Sequence, residues 1–422
     1  MENEPEGQHI WIFAAIILTI LADVVFLQTS IARPQPISTR EIESFLTSHW
    51  QRPVPLQGKP PSGYSLLEVS LKPEDCGMCH AEQYNAWKTA RHSHSMGPGV
   101  LGQVLEMAGK DPATVELCQS CHAPLSEQHA KLRASTGSET FVDNAAFDAD
   151  LQAKGLTCAA CHVRHHRRFG PLPRGNEGAS SLKTRSTGPH GGFIPEVAFT
   201  RSEFCKACHQ FSADGFALNG KLLENTYAEW KQSSYARTGV PCQGCHMPER
   251  KHLWQGIHSA EMVRQGIGIS LNLGKASYRP GETLQATIQL TNHGVGHFFP
   301  TYVTPKVFIR FWLEDRAGKI VPGSFAEKPI GREVSLDLSR EIYDTRIPPG
   351  ESRQWNYRKR IERPGLRLRT QVIVYPDHFY TRFFRAVLSQ YTEGRERRLI
   401  QKALEETQKS RFTVFDQTSP LL

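Results

Sequence analysis

Ten cysteines fall in five copies of one pattern, Cys-x-x-Cys-His, and none is left over. The copies are Cys76-Gly-Met-Cys79-His80, Cys118-Gln-Ser-Cys121-His122, Cys158-Ala-Ala-Cys161-His162, Cys205-Lys-Ala-Cys208-His209 and Cys242-Gln-Gly-Cys245-His246. Two thiols about one helical turn apart can each form a thioether to one vinyl group of a haem. The histidine that follows is then held beneath the iron as its proximal ligand. Paired cysteines also hold structural zinc, and cysteines of exported proteins form disulfides. Zinc does not call for a histidine after the second cysteine in every copy, and disulfides call for neither the spacing nor the histidines. The motifs therefore predict five covalently bound haems c, with His80, His122, His162, His209 and His246 as proximal iron ligands.

The net charge of +8 would ordinarily suggest an acidic partner. Each haem brings two propionates, however, so the cofactors largely consume the basic excess and no nucleic-acid partner is implied. The arginine-rich stretch after Arg382 reads as a solvated face.

The motifs lie 37 to 47 residues apart between Cys76 and His246. That is too little protein per cofactor for a conventional side-chain core, so the haems should form much of the interior, wrapped by short helices and loops. Gly97-Pro98-Gly99, Gly170-Pro171 and Gly188-Pro189 punctuate the intervals. Beyond about residue 266 the texture changes. Leu284, Ala286, Ile288 and Leu290 alternate with polar residues, as do Val307, Ile309, Phe311 and Leu313, and later Leu366, Leu368, Thr370, Val372 and Val374. This is the period of half-buried strands, and with the turn residues between them it predicts a β-sandwich. Leu399, Ile400, Ala403, Leu404 and Thr407 share one face of a terminal amphipathic helix.

At the other end, Ile10–Leu27 is apolar apart from Thr19 and Asp23, a length at the lower edge of a membrane-spanning helix. Ser30-Ile31-Ala32 before Arg33 is a small-residue cleavage pattern, so a signal peptide is the alternative. Glu2, Glu4 and Glu6, without a Lys or Arg in the first nine residues, favour a retained anchor. Haem attachment by this motif in bacteria takes place outside the cytoplasmic membrane, which puts the haem-bearing part in the periplasm. The expected organisation is a transmembrane anchor over 1–32, a proline-rich linker over 33–65, a mainly helical and irregular five-haem domain over 66–265, an all-β sandwich over 266–378, and a helix and tail over 379–422.

Several stretches resemble the cytochrome c-552/c-554 multihaem family, whose tetrahaem member accepts electrons from hydroxylamine oxidation. They are Cys79-His80 followed by Trp87-Lys-Thr-Ala-Arg-His92, Ser202-Glu-Phe204-Cys205 with Cys208-His209-Gln210-Phe211, and Tyr227-Ala-Glu-Trp230-Lys-Gln-Ser233 leading into Val240-Pro-Cys242-Gln-Gly-Cys245-His246-Met247-Pro248. The resemblance covers about residues 70–265. It implies that His92 is a distal ligand to a haem other than its neighbour, and that His190 and either His252 or His258 serve other haems. Asn292-His293-Gly-Val-Gly296-His297-Phe-Phe-Pro300-Thr301 is similar to a loop in β-domains appended to such cytochromes. Gly294 and Gly296 would let its backbone approach a flat cofactor, making His297 a candidate distal ligand. His129 and the His165-His166 pair follow, with Met96 and Met247 as thioether rivals. A fifth motif and a long C-terminal region depart from the tetrahaem pattern.

The function that follows is electron transfer through stacked haems to and from redox protein partners, with no catalytic residue required. Two alternatives are a reductase or oxidase of a small nitrogen or sulfur compound, and a subunit of a membrane quinol dehydrogenase. The reductase or oxidase needs an iron with an open face and donors such as Arg164, Arg167, His165 or Tyr235.

Overall fold

Four of the five motifs end a helix on their histidine: Pro112–His122, Cys158–His162, Glu203–His209 and Cys242–His246. In the first motif, Cys76 lies in helix Pro73–Gly77 and His80 opens the next helix, Ala81–Thr89. Local chemistry starts these turns. The Asp111 carboxylate accepts from the Thr114 amide with Pro112 at the first helical position, and the Thr157 hydroxyl accepts from the Ala160 amide. Helices this short are not stable alone, so what they pack against must hold them.

The computed structural model describes residues 38–173, 188–390 and 393–421. The chain divides into two compact units, Met1–Ser44 and Phe45–Leu422. In the first, Ser38 and Glu41 cap the start of helix Thr39–His49, Glu41 accepting from the Ser38 amide at 2.8 Å and returning its own amide to the Ser38 hydroxyl at 3.2 Å.

The expected fold class needs two corrections. No helix among the described residues is long and apolar enough to cross a membrane; the run Ile10–Leu27, read as a transmembrane helix, lies outside them. The C-terminal region is also not an all-β sandwich followed by a helix. Helices and sheets are mixed there. Strands β1 (Ile267–Leu273), β2 (Thr283–Asn292), β3 (Lys306–Glu314), β4 (Ala326–Ile330), β5 (Ser352–Arg360) and β6 (Arg367–Tyr375) are followed by two helices, His378–Leu388 and Arg395–Lys409, and then by a last strand, β7 (Phe412–Pro420). The stretch 412–420, expected as a tail, thus completes a sheet, pairing antiparallel with β6. Its charged and polar residues mask it: only every other side chain needs to be apolar on an edge strand.

The sheets run β4-β3-β6-β7 and β5-β2-β1. Their facing sides share one core that includes Leu284, Ile288, Leu290, Val307, Ile309, Phe311 and Leu368. Phe311 of one sheet stacks on Tyr357 of the other, ring centres 5.2 Å apart. The helices turn the other way, onto the motif-bearing region. Gly99 and Gly102 of helix Pro98–Met107 meet Phe384 and Ile400, and a Cβ on Gly102 would come within 3.0 Å of Ile400. Gly97-Pro98-Gly99 therefore begins a helix rather than breaking the chain, since proline suits the first helical position and Gly99 lets the helices approach.

Residues 33–65 were expected to be a spacer, yet 49–57 are strapped onto the motif-bearing region. Val54 donates to Pro124 O at 2.7 Å and accepts from Ser126 N at 2.9 Å. It is fully buried with Leu125, Leu151, Ala159 and Ala160. The Gln57 amide donates to Glu127.

Candidate haem-binding centres

An imidazole that binds iron through one nitrogen is normally oriented by a hydrogen bond from the other. That arrangement recurs here. Nδ1 of His122 bonds Ser95 O at 2.7 Å, Nδ1 of His162 bonds Phe169 O at 2.7 Å, and Nδ1 of His246 bonds Gln255 O at 2.6 Å. Among the histidines outside the motifs, Nδ1 of His190, His252 and His297 bonds the carbonyl of Gly192, Arg250 and Phe298, at 2.9, 3.0 and 3.0 Å. Each carbonyl holds Nδ1 as the donor, so Nε2 is left as the lone-pair nitrogen.

Three histidines outside the motifs, His92, His252 and His297, face a motif histidine across a constant gap. Ring centres are 6.4 Å apart for His92 and His209, 6.2 Å for His252 and His162, and 6.3 Å for His297 and His246. Two imidazoles that share one metal, each roughly 2 Å from it, bring their ring centres to about this separation. The planes are inclined by 44°, 37° and 10°.

Burial keeps these imidazoles neutral, as metal ligation requires. It is the leading cause in every case. His92 is pushed down to about 3, His162 and His297 to about 4, and His209, His246 and His252 are lowered too. Neighbouring imidazoles lower His92 further, because the rings crowd one interior. Its Nδ1 is buried without a hydrogen-bond partner.

All ten cysteines are free. Among the described residues, no group of three or more His, Cys, Asp and Glu is gathered as a zinc ion would need. Thiols of different motifs instead lie near one another in pairs: Cys76 and Cys158, Cys121 and Cys208, and Cys205 and Cys242. Arg52 touches the second pair, with Nη1 3.5 Å from Cys121 Sγ and Nη2 3.7 Å from Cys208 Sγ. Motif one thus adjoins motif three, and motif four adjoins both two and five.

The loop carrying His297 is fixed from both sides. Asn292 Nδ2 donates to His297 O and to Ile347 O, each at 3.0 Å. From the motif-bearing region, Glu229 accepts the Phe298 amide at 3.0 Å and pairs with Arg346 Nη1 at 2.9 Å, all but sealed from solvent. Gly296 makes room for Trp230 and Tyr235, and Gly294 for the backbone at Gln265 and Gly266. Both glycines therefore accommodate protein, and the histidine alone is left to reach a cofactor.

Other candidates sit elsewhere. His258 turns Nε2 to Asp377, 3.0 Å from Oδ1, and His129 bonds Ala123 O through Nε2 at 2.9 Å. His190 holds a left-handed backbone (φ 48°) beside Tyr64 and Glu68. His165 and His166 are also left-handed, and Nε2 of His166 bonds Gly58 O. Met96 is buried with Val104 and Ala123. Arg164 is buried against the carbonyls of His49, Val163 and Ala160, Arg167 lies over the Phe169 ring, and Tyr235 donates to His293 O.

Sequence reasoning missed two residues. His49 is buried, with Nε2 2.9 Å from Cys161 O and its ring 4.8 Å from Phe45. Trp254 lies against both His92 and His252. Neither belongs to a motif, and only a contact made across long sequence separation marks them.

Residues 55–170 match the family model described as outer membrane cytochrome MtrC/MtrF-like, domains II/IV. A cytochrome c-552 of Aliarcobacter butzleri is 25% identical over 137 residues, which are 31% of this chain and 26% of that protein, so the match spans about a quarter of the relative. Over these stretches the chain is similar to multihaem c-type cytochromes. Its fold is that of a penta-heme cytochrome c552 from Thermochromatium tepidum, with a TM-score of 0.57 and 17% identity, covering 84% of this chain and 99% of that one.

Proposed function

We propose that the chain carries five haems c in the bacterial cell envelope, outside the cytoplasmic membrane, and passes electrons among them and to redox protein partners. Cys76, Cys79, Cys118, Cys121, Cys158, Cys161, Cys205, Cys208, Cys242 and Cys245 hold the porphyrins, and His80, His122, His162, His209 and His246 are the proximal ligands. With haem bound, His92, His252 and His297 would share an iron with His209, His162 and His246 respectively. The observation that carries this reading is the repeated separation of 6.2 to 6.4 Å between paired imidazoles, a gap sized for one metal. His190, its Nδ1 held by Gly192 O and its backbone strained, is the candidate left for one of the remaining irons.

When bound, each haem supplies a one-electron couple. The protein's part is to hold the imidazoles neutral, exclude water from them, and bring the attachment sites together. Neighbouring cysteines put motif one beside three, and four beside two and five, so haems attached there would lie close together. Basic side chains in excess by +8 balance propionates. The name of the matched family and that of the Thermochromatium protein support the compartment and the count. The test is the mass of denatured protein made with the haem-attachment machinery present. Five covalent haems per chain are expected, and fewer on homogeneous protein would contradict the count.

A further inference from the structure

The segment from His246 to His258 serves more sites than its length suggests. Gln255 O orients His246, Arg250 O orients His252, and His252 faces His162. Between His252 and Gln255 stands Trp254. Its ring centre is 4.5 Å from that of His92, with planes at 64°, and 5.1 Å from that of His252, with planes at 87°. Both are edge-to-face contacts of the kind aromatic rings favour. His92 belongs with His209 and His252 with His162, so one indole touches the outer ligands of two different centres.

The backbone records what it takes to put it there. Trp254 has φ 40°, and Glu249 and Arg250 have φ 54° and 63°. For a residue as bulky as tryptophan this is a true outlier. Such strain persists only where the surroundings over-determine it, and it gathers at functional sites. A tryptophan serving only to fill space would be as well placed from a relaxed backbone. Nor is Trp254 sunk in an apolar cluster; it is half-buried, and its ring neighbours are the two imidazoles.

We propose that Trp254 is a positioning residue at the junction between the third and fourth haem sites, wedging the His92 and His252 imidazoles so that each keeps its plane. This rests on the axial pairing proposed above. His92 needs such a wedge because, among the described residues, none gives its buried Nδ1 a hydrogen bond. The placement also joins two groups of sites. Cysteine contacts link motif one to three, and four to two and five; Trp254 spans the step from three to four.

The test uses the full haem-loaded chain and electron paramagnetic resonance of the oxidised protein. His92→Ala, His252→Ala and His297→Ala first identify the low-spin signal belonging to each ligand. Trp254→Leu should then shift the g-values of the His92 and His252 signals while the His297 signal stays in place and the haem mass is unchanged. Trp254→Phe, which keeps a flat ring, should restore both signals towards wild type. Three results overturn the proposal: a Trp254→Leu spectrum that superimposes on wild type, a shift of all signals together, or no rescue by phenylalanine. If His92→Ala or His252→Ala creates no high-spin haem, the axial pairing itself is wrong and the proposal falls with it.

Discussion

In the β region, Leu284, Ile288, Leu290, Val307, Ile309 and Leu313 are closed off from solvent by other side chains alone. In the region of the motifs, apolar clusters are small, such as Met96 with Val104 and Ala123, or Val54 with Leu125, Leu151 and two alanines. Between those clusters stand imidazoles, His92 and His162 among them, that desolvation holds neutral. One region carries a complete interior in its own sequence. The other is built around a second component, and its short helices lack the length and the core to stand without it. Covalent haem would then be a folding element as well as a redox group, much as structural metals are.

The largest expected effect separates the two regions. A chain made without haem attachment should lose the fold of the motif-bearing region while strands over 283–375 stay folded. Limited proteolysis read by mass spectrometry checks this: cuts should concentrate between residues 73 and 265. Equal protection of both regions would erase the contrast.

The next effect tests the seam between them. Arg346→Ala leaves the buried Glu229 carboxylate without its cation, at a cost of about 3–5 kcal/mol. Since Glu229 also holds the Phe298 amide, the loop bearing His297 should loosen, and one haem should become able to bind added carbon monoxide. Denaturant unfolding and the carbon monoxide difference spectrum are the two readouts.

A smaller effect sharpens the account of the buried imidazoles. Burial, reinforced by the Arg164 charge, pushes His49 down to about 3, against an ordinary value near 6.5. The unfolded chain therefore binds the extra proton first as pH falls, so stability is full above about pH 6.5 and declines from there towards pH 3. Going from pH 7 to pH 5 should cost about 2 kcal/mol from this residue. His49→Gln, which keeps a donor for Cys161 O, should flatten that part of the pH profile.

How legible these features were follows from their range in sequence. The five motifs are local, so their chemistry could be read directly. The alternation of Leu284, Ala286, Ile288 and Leu290 is local too, and all four face the core. Phe412–Pro420 was missed because an edge strand carries little alternation, and its partner lies about forty residues earlier across two helices. The strap at Val54 hid behind prolines that suggested a spacer, although its stability comes from Pro124 and Ser126. The resemblance pointed to His92, and the loop motif pointed to His297. His252 and His258 could not be told apart in the sequence, because what separates them is distant: His258 bonds Asp377, and His252 faces His162. Trp254 had no signal at all, because its role exists only between two histidines distant in sequence.

The most direct test of the central claim, that imidazole pairs grip single irons, is electron paramagnetic resonance of the oxidised protein with His92→Ala, His252→Ala and His297→Ala. Each substitution is predicted to convert one low-spin haem to high spin while all five haems stay attached, since attachment uses the cysteines. The three should affect three different haems. Three variants whose spectra all match the parent would contradict the account, because the gaps between the paired rings would then hold no metal.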